Sequence, residues 1–209
     1  MMLLDYGTSA LITLFLVVDP VGLAPTFLAI THGLPRAVRR SVGMRASFIA
    51  GAILIGAALI GNWLLDTLEI SLSAFRIAGG LLLFFVAAEM VLGVRMRREG
   101  EAAEQAVEEH ARDIAAFPLA IPLMAGPGAI TAAVLLAGRA NGDPTRIGVL
   151  IAVVVFVAAC CFAAFILAAQ IAKFLGTTGN IVLSRLLGVL LAALAVQYVV
   201  DGMRAVLTG

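Results

Sequence analysis

The chain has 209 residues, 62% apolar and 13% charged, with a mean hydropathy of +1.10. A soluble domain carries about 45–50% apolar and about 25% charged residues because its surface faces water, so this composition excludes one and makes lipid the main solvent. The net charge of +1, from 14 Lys and Arg against 13 Asp and Glu, leaves no electrostatic footprint for nucleic acid.

A helix crossing hydrocarbon needs about 20 mostly apolar residues, and six stretches meet that length. The first, 8–30, is kept as structure, because no Lys or Arg precedes Arg36 and no small-residue cleavage site is evident. Asp19-Pro20-Val21-Gly22 interrupts it, with Pro25 close behind. The second, 43–65, presents Gly43, Ser47 and Gly51 as a small face for close helix packing. The third, 72–94, has Arg76 near one end and Glu89 near the other, where the carboxylate reaches the interface. A polar connector, 95–116, then carries four arginines and six acids, and its Glu108–Arg112 spacing suits a short surface helix. The fourth stretch, 117–138, contains Pro118 and Pro122 and is broken at Ala125-Gly126-Pro127-Gly128. The fifth, 147–172, follows the turn Asn141-Gly142-Asp143-Pro144 and holds the vicinal pair Cys160 and Cys161, which have no metal-ligand spacing. In the sixth, 181–206, Gln197 and Asp201 reach outside or bond between helices.

Lys and Arg counted on alternate sides fall ten to four. Arg36, Arg39, Arg40 and Arg95 are on the richer side, and Arg76, Arg139, Arg146 and Arg204 make up the poorer one. The positive-inside rule makes the richer side cytoplasmic and puts both termini outside.

Two halves resemble each other. Arg76-Ile77-Ala78-Gly79 aligns with Arg185-Leu186-Leu187-Gly188 at an offset that also places Gly93 on Gly202. Pro20 precedes Arg76 by 56 positions, and Pro127 precedes Arg185 by 58. The expected organisation is a three-helix repeat at 1–97, a polar cytoplasmic linker at 98–116 and a second repeat at 117–209. Three spans per unit invert the second copy, as in many secondary transporters. The fold class is therefore an all-α integral membrane protein with six transmembrane helices in two inverted repeats, the first and fourth discontinuous.

The breaks carry the chemistry. Gly126 lies about 14 Å and Asp19 about 16 Å along their spans at about 1.5 Å per residue, near the middle of a core about 30 Å thick. Unpaired backbone groups there cost several kcal/mol each, so two breaks at one depth suggest a shared polar cavity. New helix N-termini near Leu23 and Ala129 suit a carboxylate, and C-termini near Val18 and Ala125 suit an ammonium group. The expected substrate-binding set is the backbone of Asp19, Pro20, Val21, Gly22 and Leu23 and of Ala125, Gly126, Pro127, Gly128 and Ala129, with the Thr26 and Thr131 hydroxyls nearby. With Ala24 and Ala132 as neighbours, the substrate is small and neutral. Asp19 has three open roles: partner for an ammonium group, proton-coupling site, or local cap on the freed amides.

No metal site and no cofactor beyond a coupling proton is expected. An intramembrane enzyme would need a nucleophile with a base or an acid pair, and His32 and His110 both lie in or beside charged loops. A passive channel remains the rival class. The bilayer and a small substrate are the expected partners, and small-residue faces permit a homo-oligomer without specifying one.

With these residues in view, the chain resembles the MarC/SnatA family of six-span membrane proteins. Pro118-Leu119-Ala120-Ile121-Pro122 with Ala125-Gly126-Pro127-Gly128-Ala129-Ile130-Thr131 looks like its fourth-span signature. Asp19 to Pro25, Phe75 to Leu81 and Ala195 to Tyr198 are similar to its first, third and sixth spans. The resemblance implies an inner-membrane protein of a bacterial or archaeal cell with both termini outside. For characterised members it also implies transport of small neutral amino acids such as glycine and alanine, coupled to the proton gradient. Leu23 stands where the family usually has Asn, and Asp201-Gly202 where it usually has Asn-Gly.

Overall fold

The computed structural model describes residues 3–95, 97–98 and 114–208, and no strand occurs among them. In order come α1 Leu3–Val18, α2 Leu23–Ile30, α3 Arg36–Thr67, α4 Leu72–Leu92, α5 Ala115–Met124, α6 Pro127–Ala140, α7 Pro144–Ile166 and α8 Ala168–Thr208. Nearly all of the 98–116 linker, with its Glu108–Arg112 pair, lies outside the described residues.

Local chemistry sets the ends. Ser71 Oγ accepts the Ala74 N–H at 3.1 Å to start α4, and Gly93, at φ 75°, ends it in the left-handed region that glycine adopts without strain. Asp143 Oδ1 accepts the Thr145 N–H at 2.8 Å, and Pro144 takes the first helical position of α7. Several boundaries differ from the hydropathy pattern. α1 begins at Leu3 rather than Thr8. α3 begins at Arg36 rather than Gly43, because Arg36, Arg39 and Arg40 extend the helix beyond the apolar stretch. The fifth span stops at Ile166 rather than Ala172, and α8 opens with a short piece before a bend at Gly176 (φ 61°, ψ −176°). Residues 168–172 are nearly as apolar as the span, so composition cannot mark that end.

Among the described residues, four helices are long and apolar enough to cross a membrane: α3, α4, α7 and the Thr178–Leu207 part of α8. The pairs α1–α2 and α5–α6 qualify together, bent by 42° and 59°, which brings the spans to six when each pair counts as one. Only 28–33% of each long helix's apolar window is buried inside the protein. Phe48, Trp63, Leu81 and Phe85 stand exposed on these helices, a surface that lipid covers and water does not.

α6, the second half of a broken span, occupies the interior, while α1 and α5 also reach the surface at Ile12, Phe117 and Ile121. α6 is buried on every side from Gly128 to Gly138, and its Ala-rich sequence admits close neighbours. Gly61 of α3 approaches Val134, Gly79 of α4 approaches Thr131 and Leu135, and Leu72 seats against Gly138. α4 and α8 pack antiparallel along their length. Gly202 faces Ser73 and Ile77, Gly80 faces Ala195 and Val199, and Gly188 faces Ala87 and Met90.

A Cβ on Gly80 would lie 2.8 Å from the Ala195 carbonyl oxygen and 2.7 Å from Val199, while one on Gly56 would meet nothing within 4 Å. Gly80→Ala should therefore force α4 and α8 apart and destabilise the protein by about 1–3 kcal/mol. Gly56→Ala should be neutral or stabilising by up to about 1 kcal/mol, through helix propensity alone. Thermal unfolding of the two purified variants in detergent checks the contrast.

Candidate functional site

The first break is a turn closed by its own chain. Asp19 adopts φ 53°, a left-handed conformation that Asp tolerates better than most residues. Its Oδ1 accepts the Gly22 N–H at 3.0 Å, its carbonyl accepts the Leu23 N–H at 3.1 Å, and the Val21 carbonyl accepts the Ala24 N–H at 3.1 Å. A Cβ on Gly22 would overlap the Asp19 carboxylate, so a larger residue here would push that carboxylate out of its capping position. Of the roles open to Asp19, the local cap is the one whose hydrogen bond is present. The amides expected to stand free near Leu23 are occupied, and Leu23 itself is only 1% exposed, packed into the core.

What this break leaves over is a carbonyl. Val17 O accepts from both Nη1 and Nη2 of Arg95, at 3.3 and 3.4 Å. Arg95 lies three residues past the end of α4, where the Gly93 turn redirects the chain. Its guanidinium also acts electrostatically on the buried Asp19 carboxyl. Beyond the same turn, Arg98 pairs with Glu89 one turn before the end of α4.

The second break stays open. Phe117 and Ile121 are extended (φ −135° and −127°), as residues before proline prefer, and both following peptide bonds are cis. The extended backbone at Phe117 and Ile121 interrupts α5, which is not a regular helix. Gly126 then lies so close to α5 that a Cβ would sit 2.5 Å from the Pro122 carbonyl oxygen. α6 starts at Pro127, which has no N–H to satisfy, and no side chain caps its N-terminus. The first-turn amides of Gly128 and Ala129 belong to that uncapped end.

The two breaks meet. A Cβ on Gly128 would lie 3.4 Å from Val17 Cγ1 and 3.2 Å from Val86 Cγ2. Beside this contact runs a cleft of about 480 Å³, walled by Val17, Val86 and Pro122 and floored by Gly126, Pro127, Gly128 and Ala129. Glu89, Arg95 and Arg98 also line it. The remaining expected site residues do not. Asp19, Pro20, Leu23, Thr26, Ala125 and Thr131 are buried behind it, Val21 and Gly22 are half-buried, and Thr131 turns its methyl to Gly79. The three charged lining residues are those sequence reasoning missed. Glu89 was assigned to the interface and Arg95 to the connector, and only Gly93 as a chain-reversing cap hinted otherwise.

A sequence profile described as MarC family integral membrane protein matches residues 4–207. The chain belongs to the MarC family. Among similar MarC-family relatives, the UPF0056 membrane protein YhcE of Escherichia coli is 35% identical over 95% of this chain and 92% of its own length. A UPF0056 membrane protein of Methanocaldococcus jannaschii is 35% identical over 98% of both chains. One from Archaeoglobus fulgidus is 36% identical over 96% of this chain and 93% of its own. No solved structure matches this MarC-family chain. Membership and the apolar helices together make it an integral membrane protein, of a family found in bacteria and archaea.

The capping geometry at Asp19 separates two substitutions. Asp19→Asn keeps an oxygen acceptor for Gly22 and tolerates positive φ, so it should cost little stability. Asp19→Ala loses the cap and strains the backbone, and should cost about 2 kcal/mol from both effects together. Unfolding of each variant against wild type in the same detergent measures the difference.

Proposed function

We propose that this MarC-family chain is a secondary transporter moving small neutral amino acids, of the glycine and alanine type, across a bacterial or archaeal inner membrane. The observation that carries the reading is the uncapped N-terminus of α6, opening into a charged cleft beside the break of the first span. A helix N-terminus receives a carboxylate through free amides and partial positive charge. Glu89, which lines the cleft and pairs with Arg98, offers an acceptor for an ammonium group. Both poles lie within reach of a small zwitterion, and the glycine floor leaves no room for a large side chain.

The reading extends to mechanism. α1–α2 and α5–α6 are bent at corresponding places, which supports two inverted three-helix repeats, and the arginine count along the sequence favours both termini outside. Thr131 and Leu135 against Gly79, and Leu72 against Gly138, close the path from the cleft toward the far end of α6. Rocking one repeat against the other would open that seam and close the cleft, giving alternating access. Asp19, beside Arg95 at the first break, is the coupling carboxylate, releasing and taking a proton as Arg95 moves with the rocking bundle.

Uptake of labelled glycine and alanine, and counterflow, in proteoliposomes under an imposed proton gradient test this. A Gly128→Val side chain fills the cleft between Val86 and Val17, so uptake should fall to background in a variant that still purifies as a folded, monodisperse protein. Wild-type uptake by that variant overturns the site. Asp19→Asn keeps the cap, so its uptake should persist but lose dependence on the pH gradient. Full coupling in that variant overturns the role of Asp19, and flux without counterflow would indicate a channel.

A further inference from the structure

At the other end of α6 from the cleft, ten residues or about 15 Å along the helix from Gly128 to Gly138, a second concavity of about 610 Å³ opens. Arg76, Arg139, Arg146 and Arg204 line it with Asp201 and Asn141. These are all four arginines of the poorer side in the charge count. Each comes from a different helix: α4, α6, α7 and α8 in turn. Arginines that only anchor span ends would point outward around the molecule. Here four converge on one hollow.

Like charges gathered at a low-dielectric edge need counter-charge. Two carboxylates supply part of it. Asp201 Oδ2 accepts from Arg139 at 3.2 Å while its other oxygen accepts from Gln197 at 2.7 Å, and Asp143 pairs with Arg146 at 3.5 Å. The Arg139 guanidinium also lies 4.3 Å from the centre of the Tyr198 ring, which fixes it in place. Among the described residues of this hollow, Arg76 is the one left wanting, because its Nε is sealed from solvent and has no hydrogen-bond partner.

We infer that this hollow binds a phosphate group. Several guanidinium forks arriving from different directions suit the multiple oxygens of a tetrahedral phosphate better than the two of a carboxylate. The arginines sit within five residues of a helix end, near the depth of lipid headgroups. An anionic phospholipid such as phosphatidylglycerol meets these conditions, and free inorganic phosphate shares the chemistry.

Native mass spectrometry and thermal unfolding of the full chain, purified in detergent and delipidated, test this with phosphatidylglycerol, phosphatidylcholine and inorganic phosphate as separate probes. Saturable retention of phosphatidylglycerol over phosphatidylcholine, accompanied by a higher Tm, is expected. Arg76→Gln should weaken that retention by roughly tenfold, the loss of one charge-assisted hydrogen-bonding group. Arg204→Gln, at an exposed position, carries the same test should Arg76→Gln fail to fold. Arg45→Gln, on the opposite side, should leave retention unchanged. Stabilisation by inorganic phosphate without a lipid preference, lost in the same variants, would support the site and assign it to the soluble anion. Equal retention of both lipids with no response to phosphate, or retention unchanged in Arg76→Gln and Arg204→Gln, overturns it.

Discussion

Hydrocarbon offers no hydrogen bonds, so every backbone group released where a membrane helix breaks must find its partner within the protein. That constraint organises the molecule. The helix that follows the second break is held inside, where side chains and other segments can reach it, and the four continuous helices face outward. α6 shows the result most plainly, buried all round with glycine and alanine at its contacts. Small residues are needed there because backbones must approach closely enough to enclose what the breaks leave bare.

The two breaks answer the constraint in different ways. At the first, the chain supplies its own remedy: Asp19 turns into the left-handed region and its carboxylate caps Gly22. Arg95 covers the Val17 carbonyl at the end of α1. At the second, paired prolines irregularly unwind α5, and α6 begins on a proline without any cap. The unmet polarity is thus concentrated on one side of the cleft, on amide donors. A symmetric pair of receptors, one per break, is not what the hydrogen bonds produce. The cleft is made by one open break, with the closed break as its wall and α4 supplying the charge.

Charge is equally uneven along the bundle. Near the cleft, Arg95 and Arg98 are drawn back by the Gly93 turn onto Val17 and Glu89. At the far end, arginines from four helices converge on one hollow, where the buried Nε of Arg76 has no hydrogen-bond partner. Between them α4 and α6 pack tightly, with Thr131 and Leu135 against Gly79 and Leu72 against Gly138. Two polar regions separated by a glycine-lined seam form an arrangement in which small shifts of packed helices change what each region can reach.

Periodicity and composition were enough to establish a lipid-embedded helical protein, the six apolar stretches and the position of both breaks. Each of those features is local: a run of apolar side chains buys its place in the membrane by itself, and clustered Pro and Gly stop a helix wherever they fall. The same residues could not say that the amides near Leu23 would be taken by Asp19, since capping depends on a φ angle at Asp19 that the rest of the fold holds in place. Nor could they bring Glu89, Arg95 and Arg98 to the cleft, or draw four arginines spread over 129 positions into one hollow. Those meetings depend on how antiparallel helices pair and where the chain doubles back at Gly93. Long-range contact, not local propensity, decides which polar groups face each other across an interior without water.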